Sequence, residues 1–291
     1  MMHIERLCLI GVGLIGGSWA RALRDAGAVG EIIGCGRTEA SLQRAVELGV
    51  IDRYECDPAQ AVLGADMVVL GVPLGGMRGV LAAIRETLAP HAIITDVGSA
   101  KGSVVADAEA VFGRVPPRFV PGHPIAGTEK SGVEASFKEL FRHRRVILTP
   151  VADTDPDAVA TVRALWEVAG AEVVAMDVEH HDEVLAATSH LPHVLAYGLV
   201  DTLAHWDDNR EIFQYAAGGF RDFTRIASSD PRMWRDICLA NREALLTAMK
   251  RYITDLNSLL ESVEQADGER LEAVFDNAKQ ARDHFISLLE Q

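Results

Sequence analysis

Short apolar runs alternate with amphipathic stretches over residues 1–175 of this chain. The apolar runs predict strands, because they are short, continuous and bounded by Gly, Pro or Asp. They cover residues 7–10, 31–35, 67–71, 93–96, 118–120, 146–149 and 172–175. Helical patterns lie between several of them, over residues 18–26, 39–48, 77–87 and 157–169. Such alternation predicts parallel strands joined by right-handed crossovers, and therefore a doubly wound α/β sheet.

The alternation stops near residue 178, where long helical patterns cover residues 182–203, 232–260 and 268–289. Residues 184–200 contain no Asp, Glu, Lys or Arg. A helix that is apolar on nearly every side must be buried all round, and a helical half of this size achieves that by sharing a core with another subunit. We therefore expect an α/β domain over residues 1–177, an all-α dimerisation domain over residues 178–291, and a homodimer formed through the helical half.

The charge balance limits the partners that the chain can have. The 291 residues contain 42 Asp and Glu against 28 Lys and Arg, a formal net charge of −14. Such a chain is repelled by nucleic acid and by anionic membranes, and we expect neither as a partner. An anionic small-molecule substrate would need a local cluster of cations.

The cysteines and the first residues predict a cytoplasmic protein. Cys8, Cys35, Cys56 and Cys238 have neither the spacing of a zinc site nor that of a redox pair. Cys8 and Cys35 lie in apolar runs and are expected to be buried free thiols, which suits a reducing compartment. The N-terminus runs into a strand pattern without the layout of a signal peptide. The apolar stretch at residues 67–77 is far shorter than the roughly 20 residues of a membrane span.

A glycine fingerprint follows the first predicted strand. Gly11, Gly13 and Gly16 have the G-x-G-x-x-G spacing, and Leu14 and Ile15 lie inside it where a helix opens. The first glycine would make a tight turn, the second would admit a pyrophosphate, and the third would let the helix pack on the strand. The helix N-terminus offers free N–H groups to phosphates. This context predicts a Rossmann-type domain that binds NAD or NADP, with a glycine-rich turn that binds nothing as the alternative.

The second predicted strand ends without the acid that commonly binds the ribose 2′-hydroxyl group. Arg37 and Thr38 stand at that point and could hold a 2′-phosphate, which would meet no carboxylate there. The alternative is that Arg37 is a solvated surface charge. The choice between NAD and NADP therefore stays open, and use of both is compatible with these residues.

Three segments follow predicted strands at the edge where open α/β sheets bind ligands. They contain Val72 with Pro73, then Ser99, then His123. His123 lies between a glycine and a proline, so we expect it to be exposed and able to accept a proton near neutral pH. A structural turn histidine is the alternative, and the adjoining cofactor site favours the catalytic interpretation.

Two histidines interrupt the apolar helix of the second half. His190 and His193 share a helical face if Pro192 leaves the turn intact. His180 and His181 could complete a metal site, but the spacing matches no known zinc motif, and we expect no metal.

Two arginines lie on a glycine-led, aromatic-rich segment at residues 218–227. The guanidinium groups of Arg221 and Arg225 suit bidentate binding of a carboxylate, which makes them candidates for the local cationic cluster. The alternative, a surface salt bridge to Asp222, applies more to Arg221 than to Arg225.

Together these segments resemble the prephenate/arogenate dehydrogenase family, in order and over nearly the whole chain. The matching segments are residues 11–16, 96–99, 122–127 (GHPIAG), 189–193 (SHLPH) and 219–225 (GFRDFTR). The first is generic, whereas the last three are specific, and their joint occurrence is the strong evidence.

The resemblance implies roles for individual residues. It implies that His123 accepts the proton of the substrate's ring hydroxyl and that Ser99 orients that histidine and that hydroxyl. Arg225 resembles the arginine that binds the side-chain carboxylate, fixed by Asp182 and with His193 nearby. The remaining substrate-pocket positions that the resemblance implies are Thr128, Gly218, Trp234 and Arg221, with Gly218 and Trp234 reaching the partner subunit's site.

The family oxidatively decarboxylates a cyclohexadienyl acid, prephenate or arogenate, on the route to tyrosine, with hydride transfer to NAD or NADP. Two other classes stay open. One is a β-hydroxyacid dehydrogenase or imine reductase, with Lys250 as its candidate catalytic lysine. The other is a non-catalytic protein that senses a dinucleotide. The sequence leaves open prephenate against arogenate, and inhibition by tyrosine.

Overall fold

A six-stranded parallel sheet forms the centre of the α/β region. The computed structural model describes residues 3–128, 130–206 and 209–289. The strand order is β3-β2-β1-β4-β5-β6, and every neighbouring pair is parallel. The strands are β1 (Ile4–Ile10), β2 (Val29–Cys35), β3 (Arg53–Glu55), β4 (Met67–Leu70), β5 (Ile93–Asp96) and β6 (Phe119–Val120). This confirms the doubly wound fold, although the short edge strand β3 has no counterpart in the predicted strands.

Helices cover both faces of this sheet, because successive side chains of a strand point to opposite faces and both faces are apolar. Leu7 and Leu9 of β1 belong to one buried apolar cluster, and Cys8 and Ile10 belong to another on the opposite face. The helices of this region are α1 (Leu14–Asp25), α2 (Glu39–Glu47), α3 (Pro58–Ala61), α4 (Met77–Ile84), α5 (Gly102–Phe112) and α6 (Pro156–Val168). A nearly continuous apolar strand therefore marks burial on both faces.

A second, three-stranded sheet contains two of the strands that the sequence assigned to the first sheet. Its order is β7 (Gly122–Pro124), β8 (Arg145–Leu148), β9 (Glu172–Ala175). The pair β7–β8 is antiparallel and the pair β8–β9 is parallel. Pro121 separates β6 from β7 and has no N–H to donate to a ladder. The expectation of one sheet over residues 1–175 is therefore wrong for the last two strands.

The second half is helical, as predicted. It contains α7 (Val178–Leu185), a π-helical turn (Ala186–His190), α8 (Leu191–Ala204), α9 (Asn209–Gln214), α10 (Gly218–Thr224), a 3-10 turn (Arg225–Ser228), α11 (Pro231–Ala240), α12 (Arg242–Glu264) and α13 (Gly268–Leu289). The helical run predicted over residues 232–260 is broken at Asn241, whose φ of −107° and ψ of 38° are not helical. The Asn241 side chain donates to the carbonyl of Asp182 at 2.7 Å, and this pairing between distant segments outweighs local helix propensity.

Backbone contacts divide the chain into two compact units, Met1–Arg242 and Glu243–Gln291. Helices α7 to α11 thus belong to the same unit as both sheets, whereas the domain boundary predicted from the sequence lies between residues 177 and 178. The predicted division stays a prediction about domains. Among the helices of the described residues, none combines the length and the apolar character that crossing a bilayer requires.

Candidate active site

The turn between β1 and α1 has the geometry of a dinucleotide-binding loop. Gly11 has a φ of +98°, and a Cβ there would lie 2.3 Å from the carbonyl oxygen of Gly71. A Cβ on Gly16 would lie 2.7 Å from Cδ1 of Leu9, so this glycine lets α1 pack on β1. Around Gly13, in contrast, a Cβ would meet nothing within 4 Å. The tight turn, the open approach and the close helix contact therefore fall on the three predicted glycines.

The start of α1 leaves N–H groups available to a phosphate. Gly13 is the N-cap residue, and no side chain caps the helix. Leu14 and Ile15 form its first turn, with Leu14 buried against the core. Uncapped N–H groups together with the helix dipole favour a bound anion. The residues present therefore fit a dinucleotide pyrophosphate.

The neighbouring strand ends provide the other predicted cofactor residues. Arg37 and Thr38 follow β2, are exposed, and lead into α2. Val72 and Pro73 follow β4, and Val72 is half-buried. All four lie beyond the carboxyl ends of parallel strands, where open α/β sheets bind ligands.

A buried ion pair supports the segment that carries His123. The side chains of Lys101 and Asp96 have no solvent exposure and are hydrogen-bonded to each other. Lys101 Nζ also donates to the carbonyl of Gly122 at 2.7 Å, and Asp96 accepts from the N–H groups of Gly98 and Gly122 at 2.8 and 3.1 Å. The end of β5, the start of α5 and the first residue of β7 are thereby joined into one network.

His123 is buried within β7 and is only 8% exposed. The expectation that it would be exposed is wrong, because Gly122 and Pro124 pair with β8 in the second sheet. Its Nδ1 lies 2.9 Å from Nε2 of His181, while its Nε2 makes no hydrogen bond within the described part of the chain. Burial first, and then the electrostatic effect of Lys101, His181 and His190, lower the pKa of His123 well below its ordinary value. The imidazole is therefore neutral at pH 7, as a general base must be.

The side chain of His181 is in turn hydrogen-bonded to the carboxylate of Asp182. His181 has no exposure, and its Nδ1 lies 2.8 Å from Oδ1 of Asp182. Both Asp182 oxygens also accept backbone N–H groups, Oδ1 from Lys101 and Oδ2 from Gly102, each at 2.8 Å. We expected Asp182 to pair with Arg225. The carboxylate instead faces the start of α5, and it holds the histidine beside it on α7.

Ser99 follows β5 and is half-buried. No hydrogen bond joins its side chain to His123 within the described residues, where the partner of His123 is His181. Its predicted role in orienting the histidine and a ligand hydroxyl stays a prediction.

The π-helical turn between α7 and α8 places two further histidines. His190 is fully buried, and Asn241 donates to its Nδ1 at 3.1 Å. Burial is the largest cause that lowers the pKa of His190, to about 4, although Asp182 opposes this shift. π-Turns are frequent at functional sites, since they re-aim side chains that a regular helix would align.

His193 and Trp234 form a flat platform within one chain. Their rings stack with centroids 3.5 Å apart and an interplanar angle of 18°. His193 Nδ1 donates to the carbonyl of Ser189 at 2.8 Å, which leaves its Nε2 as an acceptor in the neutral ring. Trp234 is 8% exposed, and no described residue accepts from its buried Nε1–H. Trp234 thus lies beside His193 of its own chain, and its predicted reach into the partner subunit's site stays a prediction.

The arginine-bearing segment at residues 218–227 lies near this platform. Arg225 begins the 3-10 turn after α10, and its charge contributes to lowering the pKa of His193, after the larger effect of burial. Arg221 is exposed and lies 3.8 Å from Asp222, as its alternative reading proposed. Gly218 opens α10, with nothing within 4 Å of a Cβ placed there. Thr128 is exposed on the loop after β7, and its hydroxyl oxygen accepts a hydrogen bond from the N–H of Lys130 within that loop.

The sequence did not single out Lys101 or Asn241, and it considered His181 only as a metal ligand. The signal for Lys101 was a lysine two residues after Ser99, directly beyond a buried strand that ends in Asp96. No local signal marks the pairing of His181 with a residue 58 positions away. Within the described residues, no three His, Cys, Asp or Glu side chains are grouped so that they could hold a metal ion.

Comparisons with known proteins give one consistent result. Family models for the nucleotide-binding domain and the dimerization domain of prephenate dehydrogenase match residues 19–175 and 177–277. Cyclohexadienyl dehydrogenase of Zymomonas mobilis is 40% identical over 97% of this chain and 96% of its own length. Prephenate dehydrogenase of Bacillus subtilis is 39% identical over 96% of this chain and 76% of its own length. The crystal structure of Aquifex aeolicus prephenate dehydrogenase with hydroxyphenyl propionate and NAD+ has a TM-score of 0.90 at 40% identity, covering 98% of this chain and 99% of that one.

Proposed function

The chain belongs to the prephenate dehydrogenase family, and we propose that it oxidatively decarboxylates prephenate, arogenate or both in tyrosine biosynthesis. The observation that carries the proposal is His123. This imidazole is buried, is held neutral, and keeps Nε2 free of hydrogen bonds within the described residues. His123 comes shortly after β6, beyond the same edge of the sheet at which the glycine turn and the ends of β4 and β5 lie. Ligands of open α/β sheets bind beyond this edge, so the base and a bound dinucleotide would share one ligand-binding region.

NAD or NADP would be held by the turn of Gly11, Gly13 and Gly16, with the segments after β2 and β4 beside it. When bound, the nicotinamide would accept a hydride from the carbinol carbon of the substrate. Gly13 leaves room for a pyrophosphate, and the uncapped start of α1 offers N–H donors. At the end of β2, Arg37 stands where an acid would repel a 2′-phosphate, which supports use of NADP as well as NAD.

His123 would accept the proton of the ring hydroxyl at Nε2 as the carbinol carbon is oxidised. A positioned base of this kind contributes roughly 10²–10⁴-fold to the rate. The ketone that develops would be a vinylogous β-keto acid, so the ring loses carbon dioxide and becomes aromatic. Aromatisation makes this step strongly favourable, and the protein's task is to orient the substrate and supply the base.

The substrate's side-chain carboxylate would be bound by Arg225. The effect of this guanidinium on the pKa of His193 supports its position beside the platform of His193 and Trp234. The platform would contact the flat face of the ring. The Nε1–H of Trp234, from which no described residue accepts, is a donor available to an oxygen of the ligand. Thr128, Gly218 and Arg221 would border the same substrate, and Ser99 would contact its hydroxyl.

The experiment that tests the proposal is a two-by-two kinetic matrix, prephenate and arogenate against NAD and NADP. We expect turnover with at least one of the four combinations of substrate and cofactor. His123→Asn should lose kcat sharply with a modest change in KM, and Arg225→Ala should raise the substrate KM with nearly unchanged cofactor affinity.

Wild-type turnover by His123→Asn would refute the role of the base. Dinucleotide binding without turnover of either acid would favour a sensing protein, and turnover of simple hydroxyacids would favour a β-hydroxyacid dehydrogenase. Lys250, the lysine of that alternative, is exposed on α12.

We also propose a homodimer formed by the helical half. Most of α8 is apolar yet only half-buried in the single chain, with Ala196 its one fully buried residue among those described. In the second compact unit, Ile253, Leu256, Leu260 and Val263 are each about half exposed and recur at helical spacing along α12. Apolar stripes of this kind are covered by a partner in soluble proteins. The proposed compartment is the cytoplasm, which the four free cysteines support.

A further inference from the structure

Three side chains form an uninterrupted hydrogen-bonded row behind the candidate base. Nδ1 of His123 lies 2.9 Å from Nε2 of His181, and Nδ1 of His181 lies 2.8 Å from Oδ1 of Asp182. The three residues are 8%, 0% and 9% exposed. His123 lies on β7 of the second sheet, whereas the other two lie on α7 of the helical half. The row therefore connects two parts of the fold that are remote in sequence.

The far end of the row is a fixed acceptor. Asp182 also accepts the N–H groups of Lys101 and Gly102 at the start of α5. Burial opposes ionisation of this carboxyl, but the hydrogen bonds from His181 and from the two amides outweigh it and hold the pKa of Asp182 below its usual value. An ionised carboxylate only accepts hydrogen bonds. Nδ1 of His181 must therefore carry a hydrogen.

The position of each further proton follows from the first. A neutral imidazole protonated at Nδ1 has a bare Nε2, so Nε2 of His181 accepts. The hydrogen bond to it must then be donated by Nδ1 of His123. A neutral His123 protonated at Nδ1 has its lone pair on Nε2, the nitrogen that makes no hydrogen bond within the described residues. In the opposite order, Nε2–H of a neutral His181 would donate to a bare Nδ1 of His123. The bare Nδ1 of His181 would then face the Asp182 carboxylate, which would place two acceptors against each other.

We propose that His181 is a positioning residue that, together with Asp182, fixes the tautomer of His123 so that Nε2 faces the substrate hydroxyl as a bare acceptor. This inference rests on the proposed function. When His123 takes the hydroxyl proton at Nε2, its Nδ1–H keeps donating to His181, and the positive charge faces the Asp182 carboxylate through that ring. One O–H bond breaks, one N–H bond forms, and no proton needs to move farther along the row.

Burial and the titratable neighbours of His123 account for its resting state. Burial lowers the pKa of His123 most, and Lys101 at the start of α5, His181 on α7 and His190 in the π-turn lower it further. Asp96 at the end of β5 is paired with Lys101. Asp182 therefore supplies the negative charge behind the base, and it acts through His181.

A matched set of variants tests the role of His181. In His181→Leu the acceptor is lost and the tautomer of His123 is no longer fixed, so we expect kcat to fall by roughly 10²–10⁴-fold, as when a base has the wrong tautomer. Substrate KM and dinucleotide Kd should change little, because neither ligand touches this residue. In His181→Gln an amide oxygen can accept from His123 Nδ1, and we expect at least tenfold more activity than for His181→Leu. His180→Leu, at an exposed position next to it on α7, should behave as wild type.

Ring ¹⁵N NMR of the wild-type enzyme tests the same idea without turnover. The signals of His123 are assigned by their loss in His123→Asn, and we expect a protonated Nδ1 and a bare Nε2 at pH 7. A proton on Nε2 with a bare Nδ1 overturns the proposal, and so does a kcat of folded His181→Leu within threefold of wild type. Should His181→Leu fail to fold, the spectrum decides alone. If the wild type turns over neither prephenate nor arogenate, the proposed function fails while the spectrum still judges the tautomer.

Discussion

Replacing Lys101 with methionine should destabilise the protein by about 3–5 kcal/mol, which is the usual cost of removing one partner from a buried ion pair. The structure places this substitution at the severe end, because neither side chain of the pair has any solvent exposure. Without the ammonium group, Asp96 keeps only the N–H groups of Gly98 and Gly122, and the Gly122 carbonyl loses a donor at 2.7 Å. At about 2–4 °C per kcal/mol for a chain of this size, the midpoint of thermal unfolding should fall by about 6–20 °C.

The assay is guanidinium denaturation followed by far-UV circular dichroism, with Asp96→Asn and the double variant completing a cycle. Since the single Lys101→Met change leaves a buried unpaired charge, the double variant should cost clearly less than the sum of the two single ones. Lys250→Met, at an exposed position on α12, is the control and should stay within about 0.5 kcal/mol of wild type. A loss below about 1 kcal/mol for Lys101→Met, or an additive cycle, would refute the reasoning.

Three further predictions concern acid stability, cofactor choice and assembly. Burial lowers the pKa of His190 to about 4 in the folded protein, below its value in the unfolded chain, so the unfolded chain binds more protons between these two pH values. About 3 kcal/mol of the free energy of unfolding is therefore present above pH 6.5 and is lost as the pH falls to 4. A free energy of unfolding that stays flat between pH 7 and 4.5 would contradict this. Arg37→Ser should weaken NADP binding roughly tenfold and leave NAD binding unchanged, as measured by calorimetry, because a charge-assisted hydrogen bond is worth about 1.5–3 kcal/mol; equal losses for both dinucleotides would count against it. Leu256→Asp with Leu260→Asp should yield a monomer in light scattering, and an unchanged mass would place the interface elsewhere.

Much of the fold could be predicted because its signals are local. The parallel strands of the central sheet are short apolar runs, and the glycine turn follows the first of them at the required spacing. The second sheet was not separated from the first, because an isolated apolar run does not reveal its pairing partner. The break at Asn241 in the helix predicted over residues 232–260 was missed for the same reason. The Asn241 side chain is hydrogen-bonded to Asp182 on α7 and to His190 in the π-helical turn, and both partners are distant in sequence.

Some features of the candidate site could likewise be predicted from local motifs, whereas others depend on tertiary contacts. His123, His193 and Arg225 were predicted by the motifs that contain them, and Gly11 was predicted by the turn that only a glycine can make. The burial of His123 was not, because it depends on β8 pairing with a strand of three residues.

By itself the sequence determined the family, the cofactor turn, and the candidate side chains for the chemistry, since each follows from residue types at short, fixed spacings. Only the tertiary structure decided how the base is held: that His181 lies behind His123, that Asp182 holds His181 rather than an arginine, and that Lys101 is buried against Asp96. Hydrogen bonds between segments 58 residues apart depend on where helices and sheets pack, and no local pattern encodes that distance.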